Sequence, residues 1–231
     1  MWIHVASGSL ALAFGLAAML LRKGSRRHVL AGRLYLVAVS VVLISTVPIL
    51  PLVAERQEAW VAEYLISIDL LVAYLAASGA RRPKVRKKTW PDVVIACAGA
   101  LIGIGFLLES VQDARLMRTL MDALNAPIDL DTATASFFLA VFGIGILLMV
   151  WEDVYLMRSP GLPRGRYLST HLGRMAGSYL GLVTAVVVVN LSKPLTDLGA
   201  PQWILWLTPA LIGTVIIIVN VRRVGRLTTF P

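Results

Sequence analysis

Apolar residues in this chain neither alternate nor gather in short strand-like runs. They come in blocks of about twenty, separated by short polar segments. A helix needs about 20 mainly apolar residues to cross the hydrocarbon core of a bilayer. Seven stretches qualify: about 2–21, 29–50, 59–79, 91–109, 134–152, 171–191 and 203–221. Lipid offers the backbone no hydrogen-bond partners, so each stretch is predicted to be a helix. The expected fold is an all-α, polytopic membrane helix bundle, one transmembrane domain over residues 1–231. The connections are too short for a soluble domain.

A helix turns about 100° per residue, which sorts side chains onto faces. His4, Gly8, Ala11, Gly15 and Ala18 share a stripe in the first span, and His28, Gly32, Tyr35, Val39 and Thr46 share one in the second. The third carries Ala62, Asp69, Ala73, Ala76 and Ala80 on one face, and the sixth carries His171, Arg174, Ser178, Gly181 and Ala185. Small residues let helices approach and polar residues avoid lipid, so these four faces are predicted to meet at a common centre. The other three spans have no such stripe and are expected to pack outside. Gly99 and Gly103 form a small-xxx-small pair that favours close helix contact. Gly103-Ile104-Gly105 and Gly143-Ile144-Gly145 share a local pattern, too common in such a composition to indicate a duplicated fold.

The longest connection covers about residues 110–133. Ala114, Met117, Leu120, Met121 and Leu124 recur there at helical spacing between Asp113, Arg115, Arg118 and Asp122. This predicts an outer amphipathic helix over about 111–125, ended by Asn125-Ala126-Pro127. Asp129 and Asp131 stand at metal-ligand spacing, but two loop carboxylates without further ligands are expected to be solvated, and Asp131 suits a helix N-cap.

Composition agrees with the pattern: 58% of residues are hydrophobic and 15% charged, too few for the surface of a soluble domain. The net charge of +9 is a matter of topology rather than of nucleic-acid binding. Counting alternate connections, 18 of the 22 basic residues fall on one side, in segments around 22–33, 81–88, 158–174 and 222–226. That side is expected to be cytoplasmic, with the N-terminus outside and the C-terminus inside, in a bacterial inner membrane. Trp60, Trp90, Trp151, Trp203 and Trp206 near predicted span ends suit an aromatic belt. Basic residues follow the first apolar run instead of preceding it, so that run is expected to be a retained span and not a cleaved signal peptide. The single cysteine, Cys97, rules out a disulfide within the chain.

Three groups of residues carry candidate chemistry. His28 and His171 lie at the cytoplasmic ends of their spans, at one predicted depth. Two facing imidazoles are what axial ligation of a haem b iron requires. Gly32 would leave room for the macrocycle, Arg174 would pair a propionate, and Tyr35 and Ser178 would supply hydrogen bonds. The alternative is that each histidine is an interfacial residue bonding to a loop or a lipid head group. His4 is on the outer side without a histidine partner, and reads as a hydrogen-bonding residue at a helix start or as a quinone contact. Asp69, near mid-membrane, is either a titrating group for transport or a structural clamp tied to Arg33 or Arg174. Glu63, Glu109, Glu152 and Asp153 are expected to be solvated at the interfaces.

His4, Gly8, Leu12 and Gly15, then Lys23-Gly24, then His28, Gly32, Arg33 and Tyr35, resemble the motif of a bacterial family of predicted integral membrane proteins with a domain of unknown function. His171, Arg174, Met175, Ser178, Tyr179 and Thr184-Ala185 resemble that family's second motif. The resemblance implies a multi-pass membrane fold and brings no activity with it. More distantly, the chain is similar to cytochromes of the b561 type, which also carry a histidine near one span start and a basic turn before the next. Those use four histidines in two pairs. This chain has three histidines, which leaves His28 with His171 as the single pair on one side.

Three functions follow: a one-haem electron-transfer module working with a membrane quinone or partner protein, a proton- or solute-translocating protein using Asp69, or a non-catalytic membrane subunit whose basic segments bind anionic lipid. No serine, histidine and acid share a depth, which argues against hydrolase chemistry.

Overall fold

The computed structural model describes residues 1–56, 59–82, 89–112, 130–159, 161–198 and 203–227, and every element within them is helical. In chain order they are α1 (Trp2–Leu20), α2 (Arg26–Thr46), a 3-10 turn (Val47–Ile49), α3 (Leu50–Arg56), α4 (Ala59–Arg81), α5 (Trp90–Gln112), α6 (Leu130–Arg158), α7 (Arg164–Asp197) and α8 (Trp203–Leu227). Five segments are long and apolar enough to cross a membrane: Trp2–Leu20, Arg26–Leu52, Trp90–Val111, Phe137–Arg158 and Arg164–Leu191. Helices α4 and α8, at 23 and 25 residues, have the length as well. The predicted outer helix over 111–125 and the Asp129 position lie outside the described residues, apart from Val111 and Gln112 at the end of α5.

The outside of the bundle is apolar. Trp2 is 85% exposed, Leu101 73% and Ile44 75%, with many aliphatic side chains beside them. A surface of this kind is unfavourable in water and suits hydrocarbon. Polar side chains, both on this surface and inside the bundle, return their hydrogen to their own helix. Ser9, Ser40, Thr46, Thr184, Asn190 and Asn220 each bond the carbonyl four residues back.

Several boundaries move relative to the sequence expectation. Helix α7 begins at Arg164, so His171 sits two turns inside it and not at its mouth. Its 34 residues run about 51 Å at ~1.5 Å per residue, well beyond the ~30 Å hydrocarbon core. Helix α6 continues past residue 152 to Arg158, which carries Asp153 into the bundle. Pro48 lies in the 3-10 turn at the end of α2, whereas Pro194 and Pro209 lie inside α7 and α8.

Helices α1, α2, α4 and α7 surround one core, in which Ala11, Tyr35, Val39, Val42, Ile68, Val72 and Leu182 meet, and α6, expected to pack outside, adds Phe138 to it. That is the centre predicted from the four stripes. A second core of Tyr74, Phe106 and Ile146 joins the α5–α6 pair to α4, while α8 packs along α7. Glycines set the closest approaches. A Cβ on Gly181 would lie 2.6 Å from Val72 of α4, and one on Gly15 would lie 2.4 Å from the Tyr179 ring. The two Gly-Ile-Gly stretches turn out to be one crossing point: Gly103 of α5 and Gly143 of α6 face each other backbone to backbone.

Candidate functional site

The polar residues of the bundle collect at its basic end. The α1–α2 turn is built locally. Gly24 takes a left-handed φ of 78°, which a side chain would disfavour. Ser25 then caps α2 by accepting from the His28 amide at 3.2 Å. Lys23 donates to the Ala18 and Met19 carbonyls, and His28 Nδ1 bonds the Ala18 carbonyl at 2.9 Å. Those carbonyls belong to the last turn of α1, where the helix itself supplies no partner.

His171 repeats the arrangement on another helix pair. Its Nδ1 bonds the carbonyl of Gly79, in the last turn of α4, at 2.8 Å. A carbonyl only accepts, so in both rings Nδ1 carries the hydrogen. In the neutral imidazole Nε2 then holds the lone pair. His28 and Lys23 are within electrostatic reach of His171. The structure thus brings the two predicted histidines to one end of the bundle, in the same tautomer. Gly32, one turn above His28, is half-exposed, and a Cβ there would meet nothing within 4 Å, so helix packing does not explain this glycine.

The other predicted haem neighbours are engaged elsewhere. Ser178 donates to the Met175 carbonyl at 2.9 Å, so Tyr35, 2.8 Å away, donates to Ser178. Tyr35 is buried, its ring 6.3 Å from that of Tyr179, whose hydroxyl donates to the Leu12 carbonyl of α1. Gly15, Tyr35, Ser178 and Tyr179 therefore form a three-helix junction that locks α1, α2 and α7. Replacing Tyr35 with phenylalanine should cost about 1 kcal/mol, one buried hydrogen bond, measured as a lowered thermal midpoint in detergent; an unchanged midpoint would refute the assignment.

Arg174 is not available to a propionate either. It is 3% exposed and forms the hub of a buried network. Its Nη1 donates to Tyr74 at 3.1 Å and Ser78 at 3.2 Å, and its Nη2 to the Met149 carbonyl at 2.8 Å, Glu152 at 3.2 Å and Asp153 at 3.2 Å. Tyr74 passes its own hydrogen to Asp153 at 2.9 Å, with the guanidinium 5.4 Å above its ring. Arg82 reaches Asp153 at 3.3 Å, and Arg166 reaches Glu152 at 3.1 Å. Gly79 makes this possible, because a Cβ on it would lie 2.8 Å from that of Arg174.

The expectation for Asp153 fails here. It is fully buried, not solvated, because α6 runs on past the predicted span end and turns it toward α4 and α7. The signal for it was in the sequence: a buried Arg174 needs a carboxylate at its depth, and Glu152-Asp153 is the acidic pair there. Asp92, which the apolar pattern does not mark, is buried too; it accepts from Arg81 at 2.7 Å and from the Thr89 amide at 3.0 Å.

The remaining candidates are apart from this end. Arg33 is exposed and takes no part in the network. Asp69 is half-buried against Thr46 of α2, not paired to Arg33 or Arg174. His4 Nδ1 meets Ser45 at 3.1 Å and ties α1 to α2 at the other end. Among the described residues, no three histidine, cysteine or acidic side chains are grouped to hold a metal ion.

No family model, curated protein or solved structure matches this chain. The family likeness noted above rests on its motif residues.

Proposed function

We propose that this chain is a seven-span protein of the bacterial inner membrane, N-terminus outside, that binds one haem b between His28 and His171 near the cytoplasmic face and exchanges electrons with a quinone or a partner protein. One observation carries the reading. Both histidines spend Nδ1–H on a backbone carbonyl at the same end of the bundle, which fixes the ring and would leave Nε2 to hold the iron. Metal-binding histidines are held in this way by their second-shell partners. Bound haem supplies one-electron chemistry, with a potential set by its ligands, nearby charge and burial. The chain's own part is to orient the two rings and leave space at Gly32. Exposed Arg26 and Arg27 in the first turn of α2, rather than the occupied Arg174, are the partners offered to propionates.

The test is a visible spectrum of protein purified from haem-supplied cells, oxidised and reduced. A sharp Soret band lost in both His28→Ala and His171→Ala is expected. A folded, colourless wild type sinks the proposal.

A second reading has its own support. Asp69 is an intramembrane carboxylate whose partner is the neutral Thr46, with no cation beside it among the described residues. Such a group is suited to carry a proton. An Asp69→Asn variant with unchanged proton or solute flux in vesicles would count against it.

A further inference from the structure

Arg82 stands out from the other arginines at the basic end. It is 1% exposed, and among the described residues its buried Nε and Nη1 have no hydrogen-bond partner. Its one ion pair among the described residues is Nη2 to Asp153 at 3.3 Å. Asp153 is already shared, since Arg174 and Tyr74 both donate to it. Buried donors on a charged group are costly to leave unmade, and native proteins rarely do so without a water or ion. Arg166 is half-exposed, so water screens its charge, whereas Arg82 is sealed off. Among the described residues, no oxygen fills its two remaining nitrogens.

We infer that Arg82 is the floor of an oxyanion site at the basic end of the bundle, which takes a singly charged phosphate ester. A phosphodiester supplies two oxygens for the two unfilled donors, and a guanidinium is suited to such oxygens. The site lies where α4 ends, and the sequence continues directly into Lys84, Arg86, Lys87 and Lys88. A cluster of basic residues beside a membrane span draws anionic lipid head groups. The head group of an anionic phospholipid and a free phosphate share this chemistry. The site is independent of the haem reading, because it uses neither histidine.

The experiment uses full-length protein in neutral detergent at about 0.5 M salt, where diffuse surface attraction is screened. Binding of dioctanoyl phosphatidylglycerol, dioctanoyl phosphatidylcholine and inorganic phosphate is followed by tryptophan fluorescence and native mass spectrometry. Phosphatidylglycerol is expected to bind over phosphatidylcholine, and Arg82→Gln to weaken it about tenfold or more. Asp153→Asn removes a competing carboxylate and is expected to tighten binding, which keeps the test open if Arg82→Gln does not fold. If inorganic phosphate binds alone with the same variant pattern, the site stands and its ligand is a soluble phosphate. Equal uptake of the two lipids with no phosphate binding overturns the inference. So does uptake that is the same in wild type and Arg82→Gln, or an Asp153→Asn variant that binds no tighter.

Discussion

Replacing Arg174 with methionine should remove about 3–5 kcal/mol of stability, the scale of breaking a buried ion pair from one side. Methionine fills much of the volume, so the loss is electrostatic. Five hydrogen bonds disappear, to Tyr74, Ser78, the Met149 carbonyl, Glu152 and Asp153. Asp153, fully buried, keeps Tyr74 at 2.9 Å and Arg82 at 3.3 Å but loses the Arg174 donor, and Tyr74, Ser78 and the Met149 carbonyl lose it too. Arg174→Lys keeps the charge, but one ammonium with three hydrogens cannot serve five acceptors on two sides, so an intermediate loss is expected. Thermal denaturation of detergent-purified protein reads both. A cycle with Asp153→Asn should show coupling above about 1 kcal/mol, because the two residues share one network. An Arg174→Met protein within about 1 kcal/mol of wild type would show that the network is not what joins α4, α6 and α7.

The second large effect is at the α5–α6 crossing. A Cβ on Gly143 would stand 2.9 Å from the Gly103 carbonyl oxygen and 2.9 Å from Leu107 Cγ. A leucine could turn away, but a backbone oxygen cannot move without parting the helices. Gly143→Ala should therefore cost about 1–3 kcal/mol despite alanine's better helix propensity. Gly145 is the control. It lies two residues on, and a Cβ there meets nothing within 4 Å. Gly145→Ala should be neutral or stabilising by up to about 1 kcal/mol. Equal midpoints for the two variants would contradict the close approach.

The same glycines show where sequence reading stops. Gly103-Ile104-Gly105 and Gly143-Ile144-Gly145 are indistinguishable as text. The structure presses Gly103 against Gly143 and leaves Gly105 and Gly145 facing outward. Periodicity marks which residues share a face of one helix. It does not say which neighbour that face meets.

The apolar blocks, their lengths and the basic bias between them are local properties of the chain. Lipid removes every backbone option but the helix, so the all-helical fold was determined by the sequence alone. The stripes through Ala11, Tyr35 and Ser178 likewise pointed to the core that α1, α2, α4 and α7 share. That both histidines sit against the last turns of other helices is a fact of packing: His28 bonds Ala18 of α1 and His171 bonds Gly79 of α4. Tertiary structure decided how each polar group is satisfied. It bound Tyr35 to Ser178, gave Arg174 to Asp153 and Glu152, and set Asp69 beside Thr46. The physical reason is that a buried polar group takes whichever partner lies at its depth on the adjoining helix. Depth depends on where each helix really ends, and helix pairing depends on contacts far apart in sequence. Asp153 was misread on the first count, for α6 outruns its apolar stretch, and Arg82 gained its meaning only on the second.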